Sequence, residues 1–255
     1  MFLRTESFKG FIRFYPIVTF IIAIQLLLWL SLYIVPSVGD LLYQLGIGHN
    51  YSIGQGEYWR LVTPIFLHNP NSMMHLLFNS FSLVIFGPAL EQMLGKAKFI
   101  FTYLFTGICG NVFTFLMDPT AYIPHLGASG AIYGLFGLYL FMVLFRKHLI
   151  DRGNAQIVVT ILVVGALMTF MRSNINIYGH LFGFIGGLAL GPIVLNKVKP
   201  FSMVRNRRPV RNDSGVNFNP NRWNKRGLPI KKYMGPILWA FIGLLVLFGL
   251  IGRFL

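Results

Sequence analysis

The chain has 255 residues, of which 55% are hydrophobic, 16% aromatic and only 11% charged. Soluble domains carry roughly 25% charge, so there is too little here to cover a water-exposed surface, and an ordinary soluble enzyme is excluded. The charges are also lopsided, 22 Lys and Arg against 7 Asp and Glu for a formal +15, but they are squeezed between long apolar runs rather than spread over a face, which argues against a nucleic-acid partner and for a membrane.

A helix that crosses a bilayer needs about 20 mostly apolar residues, each rising about 1.5 Å. The first such run covers residues 17–35, framed by Pro16 and Pro36. It is too long for the apolar part of a signal peptide and no small-residue cleavage site follows, so it is expected to be retained. The next segment, about 38–72, is aromatic and punctuated by Gly46, Gly48, Gly54 and Gly56. It is expected to be a compact, partly embedded loop. Further spans follow at about 73–90, 99–117, 127–145, 155–171 and 177–195. Residues 196–233 are rich in Arg, Asn, Pro and Gly and have no apolar period. They are expected to form a basic cytoplasmic linker against anionic headgroups. A seventh span is expected at about 234–251, within a final segment 234–255. The fold class is therefore all-α and polytopic, with residues 1–195 as a six-helix unit. Cys109 is the one cysteine. It excludes an intramolecular disulfide framework and a cysteine zinc site, and no metal or cofactor is expected.

Orientation follows from the positive-inside rule. With the N-terminus inside, the inner segments hold 19 of the 22 Lys and Arg, eleven of them in the linker. Arg60, Arg172 and Arg253 remain outside. The same orientation leaves the C-terminus outside.

Spans two, four and six then all start on the outer side. His75 and Asn79 lie near the start of span two, Ser129 near the start of span four and His180 near the start of span six. All four fall within roughly 10 Å of their helix starts. Taken singly, each has a bland explanation. His75 and Asn79 are four apart and could be an interhelical hydrogen-bonded pair. Ser129 could be a small packing residue. Together, a Ser, two His and an Asn at one depth on three helices are hard to explain as packing, and polar groups inside a membrane are functional candidates by default. Gly127 and Gly130 flank Ser129 and allow close approach of another backbone. Unpaired first-turn N–H groups lie beside it, half of an oxyanion site. Gly183 and Gly187 bare one face of span six. If that face meets span four, the His180 imidazole reaches the Ser129 hydroxyl and serves as its general base. None of the seven acids lies at this depth, so a Ser–His dyad is expected, with something else orienting the ring. Tyr133, one turn from Ser129, is the stacking candidate, while Asn79 and His75 would donate to the oxyanion.

These residues resemble the rhomboid family of intramembrane serine proteases. The likeness covers about residues 55–190. It rests on Glu57 with Trp59-Arg60, on His75-Leu76-Leu77-Phe78-Asn79, on Glu91, on Gly127-Ala128-Ser129-Gly130 with Tyr133, and on Gly179-His180 with Gly183 and Gly187. The resemblance implies a six-helix core with a water-filled cavity open to the outside. It implies Ser129 as nucleophile, His180 as base, His75 and Asn79 at the oxyanion site, and Trp59-Arg60 as a structural pair. The seventh span is similar to the six-plus-one arrangement of some members. The spacing between His68 and His75 is longer than in some relatives, so His68 reads as a structural loop histidine. His125 has no role that the resemblance assigns and is a rival base.

The expected activity is an endopeptidase in the cell membrane, cleaving membrane-anchored proteins near the outer face. The rival is a catalytically inactive relative that binds transmembrane helices as a scaffold. A small transporter would need charges along a pathway, and no Lys, Arg, Asp or Glu stands clearly mid-span.

Overall fold

Pro16 opens the first long helix, α2 (Pro16–Ile34), in the position where a missing N–H costs nothing. The next two N–H groups, of Ile17 and Val18, each donate to the Glu91 carboxylate at 2.9 Å. A buried carboxylate thus sits on the positive end of a helix whose second residue, Ile17, lies 74 positions earlier in the chain. Before α2 lies the short α1 (Phe8–Phe14), and Pro36 starts α3 (Pro36–Gly46) immediately after it.

This computed structural model describes residues 1–2, 4–171 and 175–203, all of them within one compact unit, Met1–Asn206. Among the described residues every regular element is helical, apart from one isolated bridge between Gly48 and His125. After α3 come α4 (Asn50–Gly54), two 3₁₀ turns at Tyr58–Leu61 and Thr63–Phe66, α5 (Met73–Leu94), α6 (Lys96–Met117), α7 (Ser129–Phe145), α8 (Arg152–Met171) and α9 (Ile177–Val194). Among the described residues five helices (α2, α5, α6, α8 and α9) are long and apolar enough to cross a membrane, and α7 is a shorter apolar helix of 17 residues. The expected seventh span and residues 204–233 of the expected linker lie outside the described residues.

The expected start of span four at residue 127 is corrected to Ser129. Gly127 has φ +121°, which no helix accommodates. At about 1.5 Å per residue α7 is about 25 Å long, less than the roughly 30 Å of a hydrocarbon core. α7 buries residues all round its circumference, from Ala131 to Met142, and forms the centre of the bundle. α8 is the opposite case. Val158 and Thr169 are its buried residues, while Val163, Val164, Leu167 and Phe170 are exposed, as lipid contact requires.

Pro88 interrupts α5 and has no N–H to give to the carbonyl of Val84. The Arg4 guanidinium donates to that carbonyl, and at 2.9 Å to that of Ile85. The Tyr139 hydroxyl donates to the next one, Phe86, at 2.6 Å. Phe2 packs edge-on against Phe86 and Tyr139. Arg4, counted in the sequence among the inner topology charges, is therefore turned into the protein.

The segment between α2 and α5 is the compact loop expected from its composition, and its supports are specific. Arg60 pairs with Glu57 and donates to the carbonyls of Gln44 and Ile47 at 2.8 and 2.7 Å. Trp59 Nε1 donates to the Leu45 carbonyl at 2.9 Å. A cation and an indole thus satisfy the orphan carbonyls at the C-terminus of α3. This loop also holds the turn before α7. Gly48 and His125 exchange backbone bonds of 3.0 and 2.8 Å, and Gly127 N–H donates to the Pro64 carbonyl at 2.9 Å.

Candidate active site

Glycines decide how near α7 and α9 come. A Cβ added to Gly183 would collide with the Gly130 carbonyl, and one on Gly187 with the Gly134 carbonyl. From the other side, a Cβ on Gly137 would strike the Phe184 carbonyl. Backbone therefore lies on backbone along three turns. That closeness carries the side chains at the helix starts into reach of each other. Ser129 is the first residue of α7, and His180 lies in the first turn of α9. Asn176 caps α9 by accepting from Gly179 N–H at 2.9 Å.

His180 Nε2 stands 2.7 Å from Ser129 Oγ. The Tyr133 ring lies flat on the imidazole, with centroids 4.2 Å apart and planes 16° from parallel. On its far side, Nδ1 is 2.8 Å from Oγ1 of Thr169. That hydroxyl is also 2.9 Å from the Tyr133 hydroxyl. Among the described residues the hydrogen-bond partners of the His180 ring are two hydroxyls, those of Ser129 and Thr169, and no carboxylate.

His75 borders the turn that leads into Ser129. A Cβ on Gly127 would lie 2.7 Å from its Nε2, so glycine serves there both the positive φ and the imidazole. Asn79 sits one turn further along α5, buried, with Nδ2 donating to the His75 carbonyl at 2.8 Å. One Asn79 N–H is thus engaged within its own helix and the other is free to serve elsewhere. Of the residues singled out in the sequence, Ser129, His180, Tyr133 and His75 cluster at one end of α5, α7 and α9, with Asn79 a turn behind. Gly127, Gly130, Gly183 and Gly187 act as clearance. Trp59 and Arg60 cap α3.

His68 is buried against His75 with ring centroids 5.1 Å apart. Burial, and after it the His75 charge, hold His68 down to about 3. His125, the rival base, packs its ring over Gly48, and burial followed by His49 holds it down to about 4. Among the described residues no group of three His, Cys, Asp or Glu forms a metal cradle.

Thr169 escaped the sequence reading. A threonine in an apolar run reads as one more β-branched span residue, and only the packing of α8 brings it to His180 on α9 and Tyr133 on α7. Glu91 and Arg4 were visible as charges, but their partners, a helix start and a proline break, are also long-range facts.

A family model described as "Rhomboid domain" matches residues 55–197. The chain is 50% identical over 198 residues to "Putative rhomboid protease YdcA" of Bacillus subtilis (strain 168), covering 77% of this chain and 98% of that one. It is 38% identical over 148 residues to "Rhomboid protease GluP" of the same organism, covering 58% of this chain and 28% of that protein. With "RHOMBOID-like protein 5" of Arabidopsis thaliana the identity is 29% over 161 residues, 63% of this chain and 51% of the relative.

Proposed function

The chain belongs to the rhomboid family, as a multi-pass membrane protein and a rhomboid-type serine protease, and we propose that it cleaves membrane-anchored proteins with a Ser129–His180 dyad near the outer face of the bilayer. The observation that carries this reading is the 2.7 Å contact between Ser129 Oγ and His180 Nε2 beneath a stacked tyrosine. A serine hydroxyl is a weak nucleophile until a base takes its proton.

In the proposed reaction Oγ attacks the scissile carbonyl while Nε2 takes its proton. The oxyanion forms beside the first turn of α7, whose N–H groups have no intrahelical partners. His75 and Asn79 are the side-chain donors assigned to it. His180 then gives the proton to the leaving amine, and water hydrolyses the acyl-enzyme in the reverse sequence of transfers. A dyad suits the setting because an ionised carboxylate within the hydrocarbon is costly to keep.

The orientation proposed is N-terminus inside and C-terminus outside, in a six-plus-one arrangement, supported by 19 of 22 Lys and Arg falling on the inner side. It puts the helix starts of α5, α7 and α9 on the outer side. Substrates are membrane-anchored proteins presented within the bilayer.

The test is cleavage of a membrane-anchored protein by the full chain in detergent. Ser129→Ala and His180→Ala are each expected to lose on the order of 10⁴-fold or more in rate. Equal cleavage by wild type and Ser129→Ala overturns Ser129 as nucleophile, whereas binding of the membrane protein by wild type without any cleavage favours a helix-binding scaffold.

A further inference from the structure

The hydrogen bonds on the far side of the imidazole assign a role that no carboxylate fills. Thr169 lies in the last turn of α8 and is buried, at 4% exposure. Its Oγ1 is 2.8 Å from His180 Nδ1, 2.9 Å from the Tyr133 hydroxyl and 2.8 Å from the Gly165 carbonyl. A threonine hydroxyl has one proton to give and two lone pairs with which to accept. A carbonyl oxygen only accepts, so the Gly165 contact takes the threonine proton. The two lone pairs then receive the Tyr133 hydroxyl and the Nδ1–H of His180. This is the one assignment that makes all three contacts hydrogen bonds. It leaves Nε2 unprotonated and facing Ser129 Oγ, the form a general base needs.

Resting on Ser129 and His180 as nucleophile and base, we propose that Thr169 is a positioning residue that fixes the Nδ1–H tautomer of His180 and so stands where a triad places its carboxylate. No proton passes to Thr169. Nδ1–H stays on the imidazole throughout, while the serine proton moves to Nε2 and on to the leaving amine. Tyr133 has two parts in this arrangement. Its ring lies on the imidazole face, and its hydroxyl donates to the same threonine oxygen, which keeps that oxygen from turning its proton toward Nδ1. A neutral hydroxyl performs the orientation without the burial cost of a charge.

The bland account is that Thr169 only bonds back to Gly165, as threonines in apolar helices commonly do. On that account valine, the same shape without the hydroxyl, replaces it freely. Three full-length variants in detergent separate the two. Thr169→Val is expected to lower kcat about 30-fold with KM within about twofold, a loss below the roughly 10²–10⁴ that a general base supplies. Thr169→Ser, which restores the hydroxyl, is expected to recover kcat to within about threefold of wild type. Tyr133→Phe, which keeps the ring and removes one donor, is expected to fall between them. The readout independent of cleavage is the imidazole ¹⁵N spectrum of His180. Wild type and Thr169→Ser are expected to show protonated Nδ1 and bare Nε2, and Thr169→Val a mixture of tautomers. Unchanged kcat in Thr169→Val, equal losses in Val and Ser, or one tautomer in all variants overturns the proposal. Failure of the dyad itself shows separately, as full cleavage by Ser129→Ala.

Discussion

The α7–α9 pair and α8 are built on opposite terms. α7 and α9 meet through glycines, with carbonyls of one helix where the Cβ atoms of the other would be. Little in that contact can shift, because packed backbone has no rotamers to adjust. α8 buries Val158 and Thr169 and turns most of its apolar side chains outward. Ser129 and His180 stand on the rigid pair, and the hydroxyl beside the imidazole comes from the loosely buried helix. The Ser129–His180 contact is placed where clearance is smallest, whereas the far side of the imidazole is met by Thr169 from α8 and its face by the Tyr133 ring.

The largest effect expected from breaking this contrast is on the glycine seam. Gly187→Val puts a branched side chain into the Gly134 carbonyl, and backbone cannot yield as a side-chain tip does. A loss of more than about 3 kcal/mol and of all activity is expected, read as a collapsed thermal midpoint in detergent. A midpoint near wild type would mean that the seam is not rigid.

An intermediate effect is expected from the loops that hold the turn before Ser129. His68 and His125 have folded-state values of about 3 and about 4 against an ordinary 6.5. They stay neutral when folded and take up protons on unfolding. Their contribution is present above pH 6.5 and is lost as pH falls toward 4 for His125 and toward 3 for His68. Each adds a slope of up to about 1.4 kcal/mol per pH unit within its window. Stability measured from pH 7 to 5 should decline, and His125→Gln should flatten part of the decline. A flat profile in wild type would show that these rings are hydrated.

The smallest effect is expected on the outward face of α8. Phe170 is 70% exposed, and Phe170→Leu should change stability by less than about 0.5 kcal/mol. A large loss in the same thermal assay would show that this face is covered and that the contrast with α9 is overdrawn.

Much of this was legible beforehand. Unbroken apolar runs marked the long helices to within a few residues, and the spacing put His75, Ser129 and His180 near the starts of α5, α7 and α9. Gly183 and Gly187 advertised a bare face. Other features were not legible. The amphipathic α3 was hidden in a glycine-punctuated loop, and the start of α7 was displaced by the positive φ of Gly127. Arg4 and Glu91 looked like ordinary charges because their partners, the carbonyls released by Pro88 and the first N–H groups of α2, lie some 74 to 81 positions away in sequence.

Composition and spacing by themselves determined that the chain is a bundle of membrane helices, and which residue types lie near which helix ends. They do so because hydrophobicity and the 1.5 Å rise act along one helix at a time. Which helix faces which was left to the tertiary structure, since a 3.6-residue period marks a face but not its neighbour. The Thr169 hydroxyl at His180 is the sharpest instance. Nothing local separates that threonine from any other in an apolar span, and its chemistry arises only when α8 is laid beside α9.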